Sequence, residues 1–268
     1  MQFLKKFLID KNLWLSIFVI FYIIIDQNPI FLWSLLVIWI TNNTVPLIVH
    51  EGWSHKYILP RSKLVGYLLD FYAYIITLTG NAHYSGRAHW RKYHIVHHKE
   101  WKGSMDHVEW ALKNNNHLHL IFGGSGTKQM PNIHSPEIID LFRIQTYKEL
   151  DKIEIWMDKH NVLITTLFHF LFCIVFGWEI YFYFLLFPAW SFTIWMKFFT
   201  ETIAHWKRKE RSSERDHPWL FLLIGCNAFH KSHHEKRDEM QLGNGIWKYL
   251  HINYWFMKIF YKQQVPLA

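Results

Sequence analysis

The sequence predicts an all-α integral membrane protein with four transmembrane helices and one further helix that is re-entrant or lies on the membrane surface. Three observations carry this expectation. Half of the residues (51%) are hydrophobic and 19% are aromatic, more than a water-soluble domain of 268 residues needs to fill a core. The apolar residues are gathered into separate stretches near the length of a bilayer crossing, about 17–25 residues. Between these stretches lie strongly polar, histidine-rich blocks, so the chain is written for two solvents.

The expected spans cover residues 10–26, 30–49, 161–178 and 180–199, with the re-entrant or surface segment at 64–80. The start is basic and then apolar, like a signal peptide, but no small-residue cleavage site follows and further apolar segments do, so it reads as a retained first span. Lys5, Lys6 and Lys11 place the N-terminus in the cytoplasm by the positive-inside rule, and four spans return the C-terminus to the same side. Asp26, Gln27, Asn28 and Pro29 break the first two spans into a hairpin, because Asn and Pro favour turns and Pro suits a helix start. Glu179 marks a tighter turn between the last two.

The stretch 64–80 carries Asp70, an expensive residue at mid-bilayer. A full crossing there would put the histidines before it and after it on opposite faces. Re-entry keeps them together; an ordinary span is the alternative. Residues 81–160 and 200–268 then lie outside the lipid, and 1–268 form a single domain.

The net charge of +8 does not point to nucleic acid, since the basic residues cluster beside apolar segments and form no stripe with a nucleic-acid motif. Cys173 and Cys226 sit in apolar runs and read as packing residues.

Three histidine clusters stand at the expected cytoplasmic ends: HEGWSH from His50 to His55, HIVHH from His94 to His98, and HKSHH from His230 to His234. The last two place imidazoles at i, i+3 and i+4, one face of a helix. His50 and His55 are five apart, about 140° round an ideal helix, so they can clasp one ion only at a frayed or bent helix end. His205, just past the last span, is a ninth candidate. Nine imidazoles exceed what one ion holds, since zinc takes about four ligands and iron about six, and two metals follow. Ligand type alone leaves iron, zinc and copper open.

Other histidines read as structural or supporting: His83, His89, His107, His117, His119, His134 and His169. Glu51, Asp106 and Glu235 are candidates to orient ligand imidazoles through the ring nitrogen that does not bind metal, or are solvated charges.

HEGWSHK, WRKYHIVHHK, ETIAH and NAFHKSHH, in this order and membrane context, closely resemble the membrane fatty acid desaturase family, in particular the stearoyl-CoA and acyl-lipid delta-9 desaturases. The likeness spans roughly residues 28–261. It implies a four-helix stem under a cytosolic helical cap that holds a di-iron centre, with His50, His55, His94, His97, His98, His205, His230, His233 and His234 as iron ligands. Trp90 matches a family tryptophan near the acyl chain; packing at the interface is its other reading. Where the family usually has Asn, reaching one iron through water, this chain has Glu201, a carboxylate able to bind iron directly. KEWKGSMDHVEW also departs from the family's acidic run, so no head-group contacts carry over there.

The implied reaction is an O2-dependent desaturation that places a cis double bond in a fatty acyl chain carried by CoA or a lipid, at the delta-9 position. Breaking an unactivated C–H bond is beyond ordinary side chains, so the histidines serve as ligands and two iron ions with O2 supply the oxidant. Thr41, Asn42, Asn43 and Thr44 form a polar wall of an acyl tunnel, or else answer to helix breaking at Pro46. The chain has no cytochrome or ferredoxin motif, so electrons come from a separate donor of ferredoxin or cytochrome b5 type. Lys207, Arg208, Lys209, Arg211 and Arg215 form a basic patch that suits an acidic donor or a positive-inside anchor. Two alternatives stand: a di-iron hydroxylase or ketolase acting on an alkane, carotenoid or sterol, and a non-enzymatic membrane protein that binds zinc or copper.

Overall fold

The computed structural model describes residues 11–55, 58–77, 86–99, 150–196, 198–199, 216–217, 220, 228–229, 231–232 and 252–263. Helix α1 (Lys11–Asp26) leads to α2 (Phe31–Pro46), which continues as a π-helical segment, Leu47–His55. Then come β1 (Ile58–Pro60), α3 (Lys63–Ile76), α4 (Arg87–Lys99), α5 (Lys152–Lys159) and α6 (Asn161–Tyr181). A π-helical turn, Phe182–Leu186, passes into α7 (Phe187–Met196), and α8 (Ile252–Phe260) ends in β2 (Tyr261–Gln263). The fold is mostly helical, as expected. The sequence reading missed the antiparallel pair β1 and β2, with Ile58 opposite Gln263 and Pro60 opposite Tyr261.

Among the described residues, two helices are long and apolar enough to cross a membrane by length and composition: Phe31–Ser54 and Asn161–Trp195. Their surfaces are apolar. Phe21, Ile24, Leu32, Trp33, Ile174 and Val175 are each more than 60% exposed, so α1, α2 and α6 present large side chains that water would not tolerate as one patch.

The second of these helices has 35 residues, which as a straight rod would reach about 52 Å, well over the roughly 30 Å of a hydrocarbon core. It is not straight. Gly177 has φ 82 and ψ 164, and beyond it the Tyr181 hydroxyl lies 3.1 Å from His169 Nδ1. Twelve residues along one helix would hold these groups about 18 Å apart, so the chain doubles back at Gly177. The turn is therefore two residues earlier than the expected Glu179. Positive φ costs glycine nothing, whereas Glu179 keeps an ordinary backbone and uses its carboxylate to accept from the Asn28 side-chain amide.

That bond joins the two reversals, and the Tyr183 hydroxyl reinforces it by donating to Asp26 at 2.7 Å. Both hairpin turns thus occupy one end of the bundle. The end of α2, the start of α6 and the end of α7 occupy the other. Between the ends, α7 packs on α2, and an aromatic cluster fills the space beside α1, with the Tyr22 and Phe182 rings 4.2 Å apart and Phe31 stacked on Phe187 at 5.8 Å. Trp190 donates its indole N–H to Ser16 at 2.9 Å, satisfying a polar group that lipid could not.

Helix α3 runs alongside α5 and α6. Tyr67 meets Asp151, Tyr74 meets Asp158, and the last carbonyls of α3 are taken by α6 side chains: Thr165 donates to Tyr74 O at 3.0 Å and His169 Nε2 to Ile75 O at 2.9 Å. This accounts for His169 as a structural residue, with Nδ1 left to accept from Tyr181. The chain is then back where α3 was midway, because Arg87 donates to Asp70 at 3.2 Å.

Helix α5 starts with a full capping box: Asp151 accepts from the N–H groups of Ile153 and Glu154, and Glu154 accepts from the N–H of Asp151. Asp151 also accepts from the Tyr67 hydroxyl at 2.6 Å and from Lys63, and these bonds to the charged form, the Tyr67 one foremost, hold its carboxyl down at about 2. Its ordinary value is 3.8, so its contribution is complete above that pH and is lost as pH falls through about 2. The stability gap between wild type and Asp151→Asn is expected to be flat above pH 5 and to close from pH 4 to 2. Acid titrations of both proteins in detergent check this, and a gap that persists at pH 2 would count against it.

Candidate metal centre

The candidate site begins at Pro46. Proline has no N–H to give the carbonyl four residues earlier, and its ring crowds that carbonyl, so an α-helix cannot pass through it unchanged. Near the break, Asn43 donates to Trp39 O at 2.7 Å and Thr44 to Ile40 O at 2.9 Å. From Leu47 onward the ladder widens to i→i+5, and Ser54 repeats the spacing when its hydroxyl donates to Val49 O at 3.2 Å.

The widening changes where the first histidine cluster points. With i→i+5 bonding a turn takes roughly 4.4 residues, so backbone positions 50 and 55 come within about 50° of each other instead of about 140°. Neither fraying nor a sharp bend is needed. Within this segment His50 is partly buried, and its Nδ1 lies 3.0 Å from Oε1 of Glu51, a carboxylate only 7% exposed. A carboxylate on Nδ1 selects the tautomer and would present Nε2 to a metal.

The second cluster rides on α4, which packs against the π-helical segment. Its N-terminus is anchored by Asp158, whose carboxylate accepts the Arg87 N–H at 2.6 Å, the Ala88 N–H at 3.3 Å and the Tyr74 hydroxyl at 3.2 Å. Gly86 precedes it with φ 117, a conformation that a side chain would strain. A Cβ there would also lie 2.5 Å from Asn161 Nδ2 and 2.7 Å from Asp158 Oδ1. Seven residues into α4, His94 is buried, and its ring stands 4.4 Å from that of His50, edge to face. Trp90, one turn earlier, lies parallel to the His94 ring at 6.1 Å.

Two predicted ligands from separate clusters are therefore side by side. Metal–nitrogen bonds are about 2.1 Å, so rings at this separation fit neighbouring positions around a shared centre. His55 belongs to the π-helical segment and His97 and His98 to α4, but their side chains lie outside the described residues. His205, His230, His233, His234, Glu201, Lys207, Arg208, Lys209, Arg211 and Arg215 also lie outside them, as do Asp106 and Glu235. Among the described residues no group of three or more His, Cys, Asp or Glu is placed to hold a metal. Lys231 and Ser232, inside the third cluster, are helical; Asp216 accepts from the Ser232 N–H at 3.0 Å and from its hydroxyl at 2.5 Å, a contact that the sequence reading did not single out.

Of the polar set on α2, Thr41 and Asn42 are both buried. The Tyr72 hydroxyl lies 3.5 Å from Thr41 Oγ1 and 3.1 Å from Thr44 Oγ1, joining α3 to α2. Asn42 Oδ1 is buried and has no hydrogen-bond partner among the described residues.

Sequence reasoning also missed a buried ionic chain behind the site. Asp70 Oδ1 accepts the Trp53 indole N–H at 2.7 Å, and Oδ2 accepts from Arg87 Nη1 at 3.2 Å. Arg87 donates as well to Glu154 at 3.0 Å. The one signal for it was a carboxylate in an apolar helix, which must find partners. Comparison with protein families, with curated proteins and with solved structures finds no match to this chain.

Proposed function

We propose that the chain is a membrane-embedded di-iron oxidase that desaturates fatty acyl chains, with its metal centre at the end of the bundle opposite the two hairpin turns. The observation that carries this reading is the pairing of His50 with His94 at 4.4 Å, one from each of two clusters whose spacing suits metal ligation. The proposed ligands are His50, His55, His94, His97, His98, His205, His230, His233 and His234, with Glu201 a further carboxylate.

The topology supports it. The fold-back at Gly177 divides the second long apolar helix into two arms, which with α1 and α2 would give four spans. Because both turns share one end, the π-helical segment and the end of α7 lie at the other end, which by the positive-inside rule applied to the lysines near the N-terminus would be cytoplasmic. Helix α3 runs beside α6 as far as His169, and Arg87 lies back against Asp70, an arrangement that would suit a re-entrant segment.

When bound, two irons supply an O2-derived oxidant able to break an unactivated C–H bond. The protein's own part is to hold and shield. Glu51 orients His50, Trp90 covers His94, and the apolar core around Val45, Leu47 and Ile48 keeps water from the chain that is to react. Asn42 Oδ1, which has no hydrogen-bond partner among the described residues, and the Thr41 hydroxyl would supply the polar wall of the acyl path. Electrons come from a separate donor docked on the cytosolic side.

Purified protein loaded anaerobically with Fe(II) is expected to retain about two irons per chain. Zinc or copper held in preference would instead favour a non-enzymatic metal binder. Expression in a host that lacks unsaturated acids, followed by fatty-acid profiling, is expected to restore a cis-monoene. Products that gain oxygen would replace desaturation with hydroxylation or ketone formation.

A further inference from the structure

The two histidine-bearing segments are held together by something other than metal. Trp53 lies inside the first cluster, between His50 and His55, and is 2% exposed. Arg87 begins the helix of the second cluster, seven residues before His94, and so shares its face, since seven residues are close to two turns. One buried carboxylate reaches both: Asp70 Oδ1 to Trp53 Nε1 at 2.7 Å and Oδ2 to Arg87 Nη1 at 3.2 Å. Its side chain is 7% exposed and that of Arg87 is 16% exposed. Glu154 holds the guanidinium from the other side at 3.0 Å.

A carboxylate placed in an apolar re-entrant helix is costly, and an apolar residue of similar size would pack the α3 face without that cost. The two oxygens instead fix a distance. Directional bonds to an indole on one segment and to a guanidinium on the other allow little sliding of α4 along the π-helical segment, which simple apolar packing would permit.

We infer that Asp70 is a positioning residue that sets the separation and register of the first two histidine clusters, and through them the geometry of the metal centre. The inference rests on the metal-centre reading given above. Asp70 touches neither metal nor substrate; it acts through Trp53 and Arg87. Each tie can be cut alone. Asp70→Asn keeps an oxygen for Trp53 but turns an amide N–H toward Arg87, and Trp53→Phe keeps a packed ring against Tyr74, whose ring is 5.3 Å away, but removes the N–H.

The test uses full-length protein in lipid nanodiscs, stripped of metal and titrated anaerobically with 57Fe(II), with Mössbauer spectra of the bound iron and thermal unfolding of the metal-free form. Both variants are expected to bind iron about tenfold or more weakly and to show altered isomer shifts or quadrupole splittings. A purely structural role would lower the unfolding temperature and leave the spectra of bound iron unchanged, which would overturn the inference. Should Asp70→Asn fail to fold, Trp53→Phe decides by the same spectra. Wild-type protein that takes up no iron would overturn the metal-centre reading and this inference with it, whereas wild-type uptake with unaltered variants would overturn the positioning role alone.

Discussion

Replacing Arg87 with leucine is expected to destabilise the protein by about 3–5 kcal/mol, the cost of leaving a buried charge without its partner. The guanidinium sits between Asp70 and Glu154, which are 7% and 21% exposed at the side chain. Without it two carboxylates face a cavity lined by Trp53, Tyr74 and the start of α4. The helix also loses the tie that holds its first turn against α3. Arg87→Lys keeps the cation but not the fork of donors, so it reaches one carboxylate well and is expected to lose less. The double variant Arg87→Leu with Asp70→Leu is expected to recover much of the loss, because removing both members of a buried pair is far cheaper than removing one. Unfolding in mixed micelles, followed by circular dichroism, measures all three. A loss below about 1 kcal/mol for Arg87→Leu would place the guanidinium in a solvated site instead.

Pro46→Ala is expected to move stability and metal binding in opposite directions. Alanine restores an N–H for the carbonyl four residues earlier and removes the ring that crowds it, so the α-helix can run on past residue 46. Proline within a helix costs about 3 kcal/mol, and the metal-free variant is expected to recover about 1 kcal/mol or more of that. On the proposed function the gain has a cost. With α-helical spacing restored, positions 50 and 55 return to about 140° apart and cannot face one centre. Iron affinity is then expected to fall roughly 10–100-fold, the range seen when groups that orient ligands are lost. Thermal unfolding of the metal-free form and an iron titration of the same preparation test the two halves separately. Unchanged iron affinity would mean that the widened ladder does not depend on Pro46.

Both predictions concern features that the sequence only hinted at. HEGWSH was legible as a candidate ligand cluster, but the angle between His50 and His55 was not, because the rules that turn spacing into a helix face assume 3.6 residues per turn. Pro46 was visible as a breaker. Whether the helix would end, kink or widen there could not be read from the proline alone, and the π-helical segment from Leu47 is a finding of the structure. Glu51 could be named as an orienting carboxylate, yet its burial beside His50 followed only from packing. Gly177 was overlooked in favour of Glu179, since a charge in an apolar run is a louder signal than a glycine.

The sequence by itself determined the helical class, the apolar stretches and the break at Asn28 and Pro29, and it singled out the histidine clusters. These are local properties: hydropathy over a window, turn chemistry over a few residues, spacing within one helix. Only the tertiary structure decided that α3 stops beside His169 and that the chain is back at Asp70 by Arg87, that both hairpin turns share one end, and that His50 meets His94. Each of these is a meeting of groups far apart in the chain, and such meetings are settled by which buried polar atoms can satisfy one another once the apolar surfaces have closed.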